Sequence, residues 1–175
     1  MKALNILALA TCVALASCGG NESTTTNPTT SSSTPAAKPS TSVTPEVVDG
    51  KIPVTITAND DMKFNVKEVK VKKDVPVVLT LEHTGKAPVT TMGHNIVVLQ
   101  KGTDVPDFVN KANAAKDNGY IPTDDAAKQV IAKTKMLGGG EKDNVEFTFT
   151  EPGEYIFLCS FPGHSGMMKG KFIVE

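Results

Sequence analysis

The sequence predicts an all-β domain: an antiparallel sandwich of about seven or eight strands with Greek-key connections and one short helical insertion. Three observations lead there. Apolar and polar residues alternate over 52–57, 75–81 and 145–150, the two-residue period of a half-buried strand. Turn formers punctuate these runs at Asn59-Asp60-Asp61, Gly138-Gly139-Gly140 and Pro152-Gly153. One segment alone, 105–117, reads as helix, with Asp104 as a cap candidate, Pro106 in the first turn and an Ala- and Lys-rich continuation.

Taken in order, residues 1–17 read as an export signal. Lys2 supplies the positive start, and the apolar stretch over 4–15 is too short to span a membrane. Leu15-Ala16-Ser17-Cys18 resembles the lipobox of bacterial lipoproteins. That resemblance implies cleavage before Cys18, a diacylglycerol on its thiol and an acyl chain such as palmitate on its amine. Three chains would anchor stably, since each buried CH2 contributes ~0.8 kcal/mol. Gly19 after Cys18 does not look like an inner-membrane retention signal, which favours the outer membrane. Residues 18–49 read as a disordered tether, rich in Ser, Thr and Pro and poor in large apolar residues.

The folded domain is expected over 50–175. Its first strand is 52–57. A second strand region, 64–71, breaks phase at Lys67-Glu68, as a bulge would. The alternation over 75–81 is a third, and 83–89 is a loop containing Gly85 and Pro88. The β-branched run 95–100 precedes the helix, which stops near Asn118-Gly119. Short strands follow at 129–133, 145–149, 155–158 and 171–174.

Composition excludes several functions. The net charge is -1, and all eighteen basic residues are Lys, so neither a basic nucleic-acid surface nor an Arg phosphate clamp is present. No nucleophile–base pair or paired acid suggests an enzyme. Of three cysteines, Cys12 and Cys18 fall in the N-terminal segment, leaving Cys159 as the lone thiol of the domain. A free thiol in an exported protein is a liability unless it is masked or used.

Cys159 opens the stretch Cys159-Ser160-Phe161-Pro162-Gly163-His164-Ser165-Gly166-Met167-Met168. It carries Cys-x4-His and His-x3-Met spacings on a loop that follows a strand. A soft thiolate, an imidazole and a thioether suit copper better than any hard cation. A blue-copper centre requires a second imidazole, because its trigonal set is His2Cys. His94, in Met92-Gly93-His94-Asn95, and His83, on the upstream loop, are the two available.

Four stretches carry a resemblance over the whole domain: Asn59-Asp60-Asp61-Met62-Lys63-Phe64-Asn65, Met92-Gly93-His94-Asn95, Gly138-Gly139-Gly140-Glu141-Lys142-Asp143, and Cys159 through Gly170. Together they resemble the azurins, blue-copper electron-transfer proteins of the cupredoxin fold. The resemblance implies one type 1 copper with His94, Cys159 and His164 as equatorial ligands, Met168 as the axial thioether and the Gly93 carbonyl as the opposite contact. Met167 is the competing axial candidate. It also implies that Asn95 bonds across the two ligand loops, and that Met62, Met92, Phe161, Pro162 and Gly163 form an apolar docking patch. His83 corresponds to a histidine near the copper that either titrates with redox state or is a satisfied loop residue. Two features depart from the family: no cysteine pair exists for its usual disulfide, and Ile96 stands where many members have Trp.

The expected function is one-electron transfer by a membrane-tethered carrier facing the periplasm or cell surface. Expected partners are redox proteins such as c-type cytochromes, copper reductases or oxidases. Periplasmic copper storage or delivery is the alternative.

Overall fold

The computed structural model describes residues 42–175, and these fall in one compact unit. The export signal, the lipobox with Cys18 and most of the tether lie outside the described residues. Among the described residues there are nine strands: β1 (Ser42–Val43), β2 (Ile52–Ala58), β3 (Glu68–Val71), β4 (Val77–His83), β5 (Val97–Leu99), β6 (Val130–Lys133), β7 (Lys142–Phe147), β8 (Gly153–Leu158) and β9 (Lys169–Val174). Helix α1 spans Val89–Met92 and helix α2 spans Val105–Ala114.

The strands form two layers. One sheet has the order β1-β3-β9-β8-β5-β6, the other β2-β4-β7. The inward residues of β2 and β4, such as Ile52, Val54, Ile56, Leu79 and Leu81, face Val69, Phe157, Phe172 and Ile96 in a common core. This is the all-β sandwich that the alternation implies, but the pairing is not purely antiparallel. β2 runs parallel to β4, and β3 runs parallel to both β1 and β9. Alternation reports which face is buried, not the direction of the neighbour.

Several boundaries also move. β1 lies at Ser42–Val43, inside the stretch read as tether, and pairs with Glu68 and Val69. The second strand region shortens to β3, while Phe64 makes only an isolated bridge with Ala58. β4 continues through His83, so that residue ends a strand rather than sitting on a loop. β7 begins at Lys142 and not at Val145.

β5 is buried on both faces. Ile96 and Val98 enter the main core, whereas Val97 and Leu99 pack under α2 with Phe108, Ala112, Ile121 and Leu158. That explains why 96–99 is an unbroken apolar run. Helix α2 is capped as its sequence suggests: the Asp104 carboxylate accepts from the Asp107 N–H at 3.0 Å. It ends at Ala114, and a 3-10 turn at Lys116–Asn118 completes the segment expected as helix. The sheets thereby set two chain segments side by side at one end of the sandwich. These are 92–96, entering β5, and 159–168, between β8 and β9.

Candidate metal centre

β5 and β8 pair antiparallel, with Val97 opposite Leu158. Residues just before Val97 and just after Leu158 therefore emerge at the same end. Asn95 fastens them together. Its side-chain amide donates to Ser160 Oγ at 2.9 Å, and its Oδ1 accepts the Ser160 N–H at 2.9 Å. Both residues are about 1% exposed, so these bonds have no competing water. Replacing Asn95 by Ala should cost about 1–3 kcal/mol, the penalty for leaving the buried Ser160 amide unpaired. The check is a denaturant melt of the metal-free protein, and an unchanged midpoint would contradict it.

The 159–168 loop is closed on itself. The Cys159 N–H donates to Met168 O at 2.9 Å, and the Met167 and Met168 N–H groups both reach His164 O, at 3.0 and 2.8 Å. Cys159, His164 and Met168 are thereby gathered within one tight turn. Gly93 precedes the fourth residue, His94, and a Cβ there would lie 2.6 Å from Val89 O. Only glycine lets α1 fold back this closely against the start of the His94 segment.

His94, Cys159 and His164 bring one imidazole nitrogen each and the Sγ within 4.8 Å of one another, and all three are buried. Cys159 Sγ lies 3.7 Å from His164 Nδ1 and 3.8 Å from the Gly93 carbonyl oxygen. Met168 is fully buried beside them, while Met167 is 46% exposed. The structure thus places Met168, not Met167, on the inner side of the loop.

The histidines are oriented from outside the cluster. His94 Nε2 donates to the Asn59 carbonyl at 2.9 Å, which leaves Nδ1 as a bare lone pair. That Nδ1 is buried and has no hydrogen-bond partner in the protein. A buried, unpartnered acceptor in a cluster with a thiol and a second imidazole fits a metal ion. The soft donor set fits copper in particular.

Protonation agrees. Burial first, and then the neighbouring His94 and His83, push the His164 imidazole down to about 4. Burial lowers His94 as well, opposed by its bond to the Asn59 carbonyl. Both rings are therefore neutral at neutral pH, as metal ligation would require. Burial pushes the Cys159 thiol up to about 11, against bonds from the Asn95 and Phe161 amides. A dicationic metal would have to displace that proton.

These shifts fix how the metal-free protein responds to pH. Between the usual imidazole value of 6.5 and about 4, the unfolded chain takes up a proton at His164 that the folded chain refuses. Stability therefore falls as pH drops through that window. Between the usual thiol value of 9.0 and about 11, the unfolded chain ionises Cys159 while the folded chain does not, so stability falls again as pH rises. Urea midpoints of the metal-free protein should accordingly peak between about pH 6.5 and 9; a midpoint that climbs steadily from pH 6.5 to 4 would contradict this.

His83 does not join the cluster. Its ring stacks on His94 with centroids 4.3 Å apart. Its Nε2 donates to Met92 O at 2.9 Å and its Nδ1 accepts from the Gly85 N–H at 3.1 Å. Both nitrogens are satisfied inside the chain, and the residue is 1% exposed. Around the cluster, Phe161 lies against His164 with centroids 4.6 Å apart, and Met62 packs on the core. Pro162 and Gly163 are exposed and Met92 is half-buried. His164 itself is only 3% exposed, so the rim shields its ring.

Sequence reasoning missed three supports. The Asn59 carbonyl is a backbone group and carries no side-chain signal. Asp60, read only as a turn residue, accepts from the Lys86 and Ala87 amides at 2.9 and 3.3 Å and ties down the loop after β4. The bond to the Lys86 amide comes first among the influences that hold its carboxyl below the usual range. Lys67, read as a break in phase, reaches the 159–168 loop through its side chain.

The sequence profile of copper-binding proteins of the plastocyanin/azurin family matches residues 51–175. The chain belongs to this family. Its relatives include azurin of Alcaligenes faecalis, 41% identical over 121 residues, which cover 67% of this chain and 93% of that one. Another is the outer membrane protein H.8 of Neisseria meningitidis serogroup B (strain ATCC BAA-335 / MC58), 39% identical over 125 residues, 70% of this chain and 67% of the relative. Among solved structures, an azurin from Methylomonas sp. strain J superposes with a TM-score of 0.63 at 34% identity, covering 70% of this chain and 97% of the other. Reduced auracyanin from Roseiflexus castenholzii has the same TM-score at 32% identity, covering 70% and 96%. The cofactor of this cupredoxin is copper, and the activity that the family implies is copper-mediated electron transfer.

Proposed function

We propose that the protein is a membrane-tethered one-electron carrier with a single type 1 copper. In this reading His94, Cys159 and His164 would hold the copper, with the Met168 thioether and the Gly93 carbonyl as its weaker contacts. The observation that carries it is the buried His2Cys set with the unpartnered His94 Nδ1. When bound, copper supplies a one-electron couple between its two oxidation states.

The chain's own contribution is rigidity. The Asn95–Ser160 bonds lock one ligand segment to the other, and the Asn59 carbonyl fixes the His94 ring. The loop-closing bond from the Cys159 N–H to Met168 O holds the main chains of these two residues together. A site that cannot rearrange suits rapid exchange of an electron. Phe161, Pro162 and Gly163, with Met62 and Met92, offer the apolar surface on which a redox partner would dock. Transient encounters of this kind use small interfaces. Partners of the expected type are c-type cytochromes, copper reductases or oxidases.

Attachment through Cys18 rests on the lipobox, and the relative named outer membrane protein H.8 supports a place at the cell envelope. Among the described residues no helix is long and apolar enough to cross a membrane. The deciding experiment is absorption and EPR spectroscopy of the copper-loaded protein, followed by voltammetry. An intense visible thiolate band with a reversible couple is expected. A colourless Cu(II) form that hands copper on readily would instead indicate storage or delivery. A Cys18→Ser variant that still partitions with membranes would sink the tether.

A further inference from the structure

We propose that Lys67 is a positioning residue for the copper loop, its ammonium group strapping the main chain on both sides of Met168. The inference rests on the reading of Met168 as the axial ligand. Lys67 Nζ donates to Met167 O at 2.6 Å and to Lys169 O at 3.2 Å. Between those two carbonyls, Met168 O accepts from the Cys159 N–H. Three consecutive carbonyls are thus held, the outer two by one side chain from a different strand connection.

The strap has a fixed base. Lys67 directly precedes β3, and its own carbonyl accepts the Lys171 N–H at 2.9 Å. The seam is tight: a Cβ on Gly170 would lie 2.6 Å from Lys67 O and 2.4 Å from the Phe157 ring. The Lys67 backbone therefore cannot drift from the 169–171 segment, and its side chain has a short span to the loop. Charge-assisted bonds of this kind are about twice as strong as neutral ones.

Electrostatics alone would not put Lys67 there. It is partly buried, and burial together with the like charges of Lys169 and Lys63 pushes its pKa down. The two carbonyl bonds offset that cost. What they provide is a fixed depth for the segment carrying the Met168 thioether, which is fully buried. The weak thioether contact is one of the features that set the reduction potential of a blue-copper site, so a displaced Met168 would be read there.

The test compares Lys67→Met, Lys67→Arg and Lys63→Met in the full chain. Lys63→Met removes a neighbouring positive charge and no carbonyl bond. In the metal-free protein, amide hydrogen exchange at Met167 and Met168 should quicken about tenfold in Lys67→Met, as loss of a charged hydrogen bond predicts. It should stay within about twofold of the parent in Lys63→Met and in Lys67→Arg, whose guanidinium carries enough N–H donors for both carbonyls. In the copper-loaded protein, Lys67→Met should alter the EPR spectrum and shift the potential, Lys67→Arg should restore both, and Lys63→Met should shift the potential only. An unaltered EPR spectrum in Lys67→Met, or equal exchange rates in Lys67→Met and Lys63→Met, overturns the proposal. A parent protein without a type 1 spectrum rejects the ligand reading of Met168 instead, and the exchange comparison then decides the strap by itself.

Discussion

Replacing Cys159 by Ser abolishes the visible charge-transfer band of the copper-loaded protein and lowers its copper affinity by at least about 100-fold. The bound reflects position: altering groups behind the ligands commonly costs 10–100-fold, and Cys159 is proposed as a ligand itself. Sulfur is the softest donor of the set, and no other cysteine is present among the described residues to replace it. The fold should survive. The side chain is fully buried, but its loop is closed by main-chain bonds and by the Asn95–Ser160 pair. Absorption spectroscopy and a metal-competition titration provide the check. A retained band would mean that the ligand set is wrong, and a protein that no longer folds would show it in far-ultraviolet circular dichroism.

The largest loss of stability is expected from Phe157→Ala. Phe157 is fully buried in β8 and meets Phe64 and Phe172 with ring centroids 5.7 and 5.4 Å away. Its ring also fills the space that the absent side chain of Gly170 leaves open. Deleting it leaves a cavity between the two sheets that the flanking strands cannot collapse into. About 3–5 kcal/mol should be lost, and Tm should fall by roughly 10 °C or more. Calorimetry of the metal-free variant measures this directly. A change below about 1 kcal/mol would show that the two sheets repack far more freely than the close contacts suggest.

Much of the site was legible because its chemistry is contiguous. Cys159, His164 and Met168 occupy one short loop, so their spacing could be read without knowing the fold. His94 could not be chosen over His83 by spacing. Only the matching flanks picked it, and in the structure the difference is one of orientation: both nitrogens of His83 are bonded, whereas His94 keeps one free. The layers were legible too, since alternation records which face is buried. Strand direction was not, because parallel and antiparallel neighbours demand the same alternation of β2 and β4. Lys142 and Asp143 hide the start of β7: their pairing with Glu82 and Leu81 is made by the backbone and leaves no apolar mark. Helix α1 is a single turn of Val89-Thr90-Thr91-Met92, whose β-branched residues favour a strand over a helix. Ser42-Val43 is too short to carry a period at all.

The smallest strand also decides where the chain joins the sandwich. β1, β3 and β9 run parallel, so Ser42, Glu68 and Lys171 stand level across the sheet, just past the loop that ends in Met168. The polypeptide thus enters the sandwich at the copper pole and first runs away from it. The residue that opens the described part of the chain therefore lies beside the loop carrying Cys159, His164 and Met168, not at the far end of the sheets.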